Sequence, residues 1–386
     1  TLDAMEELGD LYRRNDDLVK AFPYYKDALA IRRGQWGDDD PDTLNSLEDM
    51  GELLQDQKKY EEAEPYFTQV LEVLQKTRGN EHPKTLMAME EMGELFYAQG
   101  KYDEAFALFR DKIAVQRRKL GSKHPSTLYT LHLLAIYLDN SNRDEEAALG
   151  MYIESLEGFR YVGGEDSPRV LDTLERITNH LFYDLERYDE AEIYLGELIP
   201  LQRRTIGNEH PDTLDSIILM SKTLFKQKKY DEAEPYFAER IALSRQLLGN
   251  DDPVTLTSMN MMGRVLRLQG KYDEAKSHYI ECIDARRRIL GDDHPDTLTT
   301  ISNLVYLLMK QGRYHEAMPI QLKVLADRRR ILGVSNTSSI SSLKRVILLF
   351  EDWHKVEPGA GHDATAAKYQ TELDDVISST AENVNP

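Results

Sequence analysis

Along most of the chain, apolar residues recur at helical spacing on segments of two alternating kinds. In the first kind, as in the stretch from Thr43, residues Leu44, Leu47, Met50 and Leu54 fall on one helical face. A short Gln-Lys-Lys or Gln-Gly-Lys turn ends it, and a longer segment then opens with Tyr60-Glu-Glu-Ala. Pro65, Pro235 and Pro319 lie near the start of such second segments, where a missing N–H is tolerated. Their far ends are basic, as at Arg203-Arg204 and Arg286-Arg287-Arg288, which complements the negative end of the helix dipole. Glycine then stops them at Gly79, Gly121, Gly207, Gly249, Gly291 and Gly333. The pattern predicts an all-α chain built from helix pairs.

The pairs repeat. A loop of the general form (His/Asp)-Pro-x-Thr-Leu has its proline at Pro41, Pro83, Pro125, Pro168, Pro211, Pro253 and Pro295, 42 or 43 residues apart. A second anchor, Tyr-(Asp/Glu)-Glu-Ala or a looser version, ends at Ala21, Ala63, Ala105, Ala147, Ala191, Ala233, Ala275 and Ala317, with spacings of 42 to 44. Two independent anchors on one period define a repeat array. Eight helix pairs are predicted from near Thr1, Thr43, Thr85, Thr127, Val170, Thr213, Thr255 and Thr297, filling residues 1–333. Residues 334–356 read as a degenerate ninth first helix, and 357–386 as a linker and a C-terminal capping helix with a frayed end. That last helix, expected over 363–381, carries Leu373, Val376 and Ile377 on one side. The chain opens in phase with the repeat, as an excised segment of a longer protein does. The rhythm breaks once, between Ala147 and Ala191, where Gly163-Gly164 replaces the single stop glycine. A local change of curvature is expected there, with a recognition feature or hinge as the alternative.

Composition narrows the function. The 386 residues carry 48 Lys and Arg against 68 Asp and Glu, a formal charge of −20, which argues against nucleic acid and anionic membrane as partners. No apolar run approaches the ~18 residues that span a bilayer. Cys282 is the one cysteine, which excludes an internal disulfide and suits a reducing, cytoplasmic setting. It lies between Ile280 and Ile283 on a second helix, as a buried small hydrophobe does. His82, His124, His210 and His294 recur once per repeat, so they are expected to cap helices, since metal ligands must converge on one ion. Acid pairs before the alanines also recur in nearly every repeat, and belong to solvated first turns. No glycine-rich phosphate loop is present. Neither a catalytic residue nor a metal or cofactor is expected.

Leu47, Met50, Gly51, Leu54, Tyr60, Ala63 and Phe67 resemble the packing positions of the tetratricopeptide repeat. The 42-residue period and the Leu-Gly-x-x-His-Pro-x-Thr-Leu connection look like the kinesin light chain type. That type is also found in nephrocystin-like proteins and in arrays attached to nucleotide-binding or protease-like domains. The resemblance implies a right-handed superhelical solenoid whose first helices line a concave groove for a peptide. Carried over residue by residue, the groove positions are Asp3, Glu6, Asp10, Glu48, Glu52, Glu90 and Glu94 in an acidic part. In a basic part they are Lys222, Phe225, Lys226, Asn260, Arg264, Arg267, Asn303, Tyr306 and Lys310. Asn260 and Asn303 match the asparagines with which kinesin light chains hold a ligand main chain. Lys222 and Arg264 stand near the carboxylate-clamp positions of chaperone-tail binding relatives, whose full constellation is absent. The resemblance implies a non-catalytic scaffold or adaptor that binds a protein or peptide. The basic part suits an acidic segment with an aromatic or aliphatic anchor. The alternative is a sensor or regulatory array controlling an effector in cis or trans, such as a protease or nucleotide-binding switch.

Overall fold

The computed structural model describes residues 2–382; Thr1, residues 383–386 with the expected frayed end, and the side chains of Asp3 and 379–382 lie outside the described residues. Among the described residues there are eighteen α-helices and no strand. They divide into two compact units, residues 1–186 and 187–386. Unit 1 holds α1 (Leu2–Arg14), α2 (Leu18–Trp36), α3 (Pro41–Asp56), α4 (Tyr60–Arg78), α5 (Pro83–Ala98), α6 (Tyr102–Leu120), α7 (Pro125–Ser141), α8 (Glu145–Gly163) and α9 (Pro168–Tyr183). Unit 2 holds α10 (Tyr188–Thr205), α11 (Pro211–Lys226), α12 (Tyr230–Leu248), α13 (Pro253–Leu268), α14 (Tyr272–Leu290), α15 (Pro295–Lys310), α16 (Tyr314–Leu332), α17 (Thr337–Val356) and α18 (His362–Glu382). Within each unit every helix packs on the next in sequence, so consecutive pairs stack as an α-solenoid.

The recurring motifs are the joints of this stack. Most inter-repeat loops end in a side-chain cap: Asp40 and Asp252 accept backbone N–H groups of α3 and α13. His82, His124, His210 and His294 do the same through Nδ1 for α5, α7, α11 and α15, at 3.2 to 3.3 Å. Proline then takes the first helical position, where its lost N–H costs nothing. The threonine two residues on is fully buried and reaches back. Thr85, Thr127, Thr213, Thr255 and Thr297 donate to the carbonyls of Gly79, Gly121, Gly207, Gly249 and Gly291 at 2.8 to 2.9 Å. The terminating glycine sits at positive φ, +83° at Gly79, where a side chain would be strained.

The turn between paired helices also faces the preceding repeat. Lys101, Lys229 and Lys271 bridge to Glu64, Glu192 and Glu234 at 2.6 to 2.7 Å, and Gln99 donates to the Tyr60 carbonyl. Ala63, Ala105, Ala233 and Ala275 are completely buried. Beside Ala63, Ala105 and Ala275 the first helix carries a glycine pressed against an aromatic ring of the second. A Cβ on Gly51 would stand 2.8 Å from the Phe67 ring, and one on Gly263 would stand 2.6 Å from Tyr279.

The irregular region departs from this scheme at its start, where Ser167 precedes α9 without a side-chain cap, while Glu186 keeps the left-handed turn conformation shared by Lys58, Asn142 and Lys228. At the C-terminal end α18 covers α17, where Leu343, Phe350 and Trp353 pack with Ala366 and Leu373. Only part of the expected apolar side of α18 is used: Leu373 is buried, Val376 half-buried and Ile377 exposed, because α17 is the helix it covers.

The threonine lock has an internal control, because the fully buried Thr43 hydroxyl has no partner among the described residues. Thr255→Val is expected to lower stability by about 1 kcal/mol, the net worth of one hydrogen bond, whereas Thr43→Val costs little or nothing. Urea denaturation of the two variants side by side checks this; equal losses would show that the bond is not what holds the loop.

Candidate functional site

In unit 2 the expected basic residues come from successive first helices at three- and four-residue spacing, which puts them on one face of each. Arg264 lies over the Phe225 ring at 4.8 Å. Arg267 and Lys310 lie over Tyr306 at 4.4 and 5.3 Å. Asn303 donates to Asn260 at 2.9 Å, so the two amides form a rung between α13 and α15. Lys226 rests over Tyr188 at 5.4 Å, on the α10 side, and Lys222 is half-buried with no polar contact to the other members. One member escaped the sequence reading: Arg345 on α17, 5.9 Å from the Tyr306 centroid, which donates to the Ser302 carbonyl at 3.0 Å. It stands 42 residues after Asn303, so the repeat count reaches it once α17 is read as an ordinary first helix.

Three guanidinium groups thus gather about two rings. Among the described residues no carboxylate pairs with Arg264, Arg267 or Arg345, although all three are half-buried. Burial lowers the pKa of Arg264 and Arg345, and the charge of Arg267 adds to the effect on both. The shift leaves an arginine protonated at neutral pH, so the strip is positive, partly desolvated and uncompensated. Tyr279 is pushed up to about 12 by burial, against the positive charges of Arg267 and Arg264 beside it.

The acidic positions of unit 1 are different in kind, because most are already engaged. Glu6 bridges to the largely buried Arg32 at 2.6 Å. Glu52 accepts from Arg13 at 2.6 Å, Asp10 from the Tyr25 hydroxyl, Glu90 from Lys112 and Glu94 from the Tyr137 hydroxyl. Of the seven, Asp3 lies outside the described side chains, and among the other six Glu48 alone has no hydrogen-bond partner among the described residues, with burial raising its pKa. Two further carboxyls were missed by sequence reasoning although they share one repeat position, Asp49 on α3 and Glu91 on α5. Burial raises Asp49 to about 7, and Glu52, Asp10 and Glu6 add to this against Arg13. Burial likewise raises Glu91 to about 7, reinforced by Glu48, Glu52, Glu94 and Glu90.

One other titratable group stands out in unit 1. His180 is fully buried, with Nε2 2.8 Å from the Glu145 carbonyl and Nδ1 2.8 Å from Asp139 and 3.3 Å from Asp184. Burial opposes its charge, but the hydrogen bonds to Asp139 and Glu145 and the two negative charges raise it to about 9. An imidazolium that donates from both nitrogens accounts for all of these contacts, so the cluster is complete as an ion pair. Cys282 is buried, and its thiol faces the Leu256 carbonyl at 3.2 Å with its pKa raised by burial, which makes it inert. No described helix is long and apolar enough to cross a membrane.

A stack of capped helix pairs with charge laid along its first helices defines a class of α-solenoid recognition scaffold. The tetratricopeptide repeat family model matches residues 1–76, 42–115, 85–160, 179–246, 218–284 and 254–330. The chain belongs to the tetratricopeptide repeat family, whose members generally mediate protein–protein interaction and whose fold is typically non-catalytic. Among solved structures it is similar to the nearly identical repeats of a putative kinesin light chain from Podosopora anserina, at 24% identity over 53% of this chain and 96% of that one, with a TM-score of 0.48. The apo form of RapI shares the fold at 12% identity, covering 87% of this chain and 98% of that one, with a TM-score of 0.54. So does the C-terminal part of a repeat protein from Cytophaga hutchinsonii, at 11% identity over 76% and 98% of the two chains and a TM-score of 0.53. No curated protein sequence matches the chain.

The raised carboxyls have a consequence for stability. A carboxyl with a folded pKa near 7 and an unfolded value of about 4 binds extra protons on folding, so its contribution to stability falls as pH rises through that window. Asp49→Asn with Glu91→Gln is therefore expected to stabilise unit 1 at pH 8, on the order of 1 kcal/mol after solvent screening, and to change little near pH 4. Urea melts at the two pH values check the sign; a destabilised double variant at pH 8 would contradict it.

Proposed function

We propose that this chain is a non-catalytic interaction module whose unit 2 holds an acidic segment along α11, α13, α15 and α17. The observation that carries the reading is the set of half-buried arginines, Arg264, Arg267 and Arg345, lying against Phe225 and Tyr306 without carboxylate partners among the described residues. A desolvated cation with no counter-ion gains more from an arriving carboxylate than a solvated one does. The two rings supply a surface for an aromatic or aliphatic anchor, and the Asn260–Asn303 rung supplies amide groups for a ligand main chain. In this reading residues 1–333 are the repeat array, 334–356 its ninth first helix and 357–386 a linker and cap. The cytoplasm is the proposed setting, where a buried lone thiol stays reduced.

A fluorescent peptide with glutamates flanking a tryptophan serves as the probe. Arg264→Glu with Arg267→Glu is expected to weaken its binding by about 2–5 kcal/mol, the scale for truncating or reversing desolvated charge contacts. Exposed Lys310→Glu should act mainly on the association rate. Wild-type affinity should fall as salt rises, and helical content by circular dichroism should hold. Binding that ignores both the reversal and the salt sinks the basic-strip reading while leaving the solenoid in place.

A further inference from the structure

Unit 1 has a cavity that the basic strip does not use. It has a volume of about 750 Å³ and opens between α5, α6 and α7. Its walls include Met87, Leu120 and Tyr129, which are 60%, 47% and 41% exposed, an unusual degree of apolar surface left open to water. Gln116 lines the same cavity. Its side chain is only 4% exposed, and its Oε1 has no hydrogen-bond partner among the described residues. A buried amide oxygen left unpaired carries a desolvation cost that an incoming donor removes.

The cavity adjoins the carboxylates. Glu90 lines it, and Glu90 is among the charges that raise Glu91. Oε2 of Glu91 is itself buried without a partner, and Glu48 and Asp49 lie on the neighbouring helix α3. The two buried unpartnered atoms here, Gln116 Oε1 and Glu91 Oε2, are both hydrogen-bond acceptors. Three cations line the cavity as well, and two of them are paired with acids in the same wall: Lys112 with Glu90 and Lys119 with Glu81, while Arg169 is the third. Arg169 stands over Tyr129 and Phe159 at 5.4 Å; of the raised carboxyls, Glu48 has Lys84 and Asp49 has Arg13 as a nearby positive charge, and Glu91 is surrounded by the acids Glu48, Glu52, Glu94 and Glu90.

We propose that unit 1 holds a basic peptide segment, with one lysine or arginine side chain seated in the cavity and donating to Gln116 Oε1 while its neighbours lie over Glu48, Asp49 and Glu91. The aliphatic stem of such a side chain matches the apolar walls, and its charged head supplies the missing donors. This site is independent of the acidic-segment reading of unit 2, and it has the opposite charge preference.

Binding of this kind is coupled to protons. Asp49 faces Glu6, Asp10 and Arg13 on α1 and Glu52 on its own helix. Glu91 faces Glu48 and Glu52 on α3 and Glu90 and Glu94 on its own helix, with Lys112 of α6 beyond Glu90 and Glu94. Tyr129 and Tyr137 of α7 stand by the same acids. A cationic ligand favours the ionised form of both carboxyls, so protons leave on binding and affinity rises as pH increases through about 7.

The test uses the full chain and fluorescence anisotropy with a labelled hexa-arginine peptide, and a hexa-glutamate peptide as its opposite. Hexa-arginine is expected to bind about tenfold or more tightly at pH 8 than at pH 6, as linkage to groups titrating near 7 requires. Asp49→Asn with Glu91→Gln should flatten this pH dependence and weaken binding roughly tenfold at pH 8. Gln116→Leu should weaken it without changing the pH dependence. Glu61→Gln with Glu62→Gln, exposed acids in the first turn of α4, removes the same charge elsewhere and should leave affinity unchanged. Hexa-glutamate binding should not respond to any of these variants, which separates a failure here from a failure in unit 2. Equal weakening by the α4 variant would reduce the effect to net charge and overturn the proposal. Affinity that is flat from pH 6 to pH 8, or unmoved by Gln116→Leu, would overturn it as well. Circular dichroism of each variant, showing wild-type helical content and a thermal transition well above the assay temperature, keeps the comparison on folded protein.

Discussion

The structure depends on one small closure, the threonine hydroxyl that reaches back to the carbonyl of the glycine ending the previous helix. Five such bonds are made among the described residues, all to glycines at positive φ, and each threonine stands just inside a capped first helix. The bond ties the end of one pair to the start of the next, so the loop behaves as a fixed joint. Fixed joints at these five loops help to hold the repeats they join in register. Register is what turns residues about 42 positions apart into side-by-side groups, and without it neither charged strip would exist as a surface.

Once register is set, the second helices decide which inner charges remain available. Arg32, Arg286 and Arg328 occupy one repeat position on α2, α14 and α16. Each donates to a carbonyl and a hydroxyl of the following first helix. The remaining nitrogen differs: in Arg32 it meets Glu6, whereas in Arg286 and Arg328 it meets Thr257 and Thr299. At this repeat position unit 1 therefore engages an acid of its first helix, whereas Arg286 and Arg328 of unit 2 meet hydroxyls instead. A chain of net charge −20 can carry a positive strip because the compensation is local to each repeat.

This explains which parts of the molecule were legible in the sequence. Caps, stop glycines and buried alanines are set by a few residues near in sequence, and His82 or Gly79 can be read directly. The availability of Glu6, Asp10, Glu52, Glu90 and Glu94 cannot be read in this way. Their partners Arg32, Tyr25, Arg13, Lys112 and Tyr137 lie on other helices, and a count along one helix face does not see across to them. His180 was hidden for another reason: the inserted residue blurred the phase of the fifth repeat, and its partners Asp139 and Glu145 belong to the helices before it. Arg345 was within reach of the count and was lost only because its loop is degenerate.

The same geometry sets the cost of recognition. In a solenoid, a charge placed at an inner position is repeated at the spacing of neighbouring first helices, so uncompensated charges of one sign repel in the free protein. Half-burial increases that repulsion, and each group answers in its own way. The carboxyls at Asp49 and Glu91 take up protons near neutral pH, as their raised values record. An arginine has no such escape, so Arg264, Arg267 and Arg345 stay charged and settle against ring faces. Aromatic faces are partial substitutes for counter-ions, worth less than a carboxylate in the same place. The difference between the two is free energy held by the strip, and the proposed acidic segment would release it.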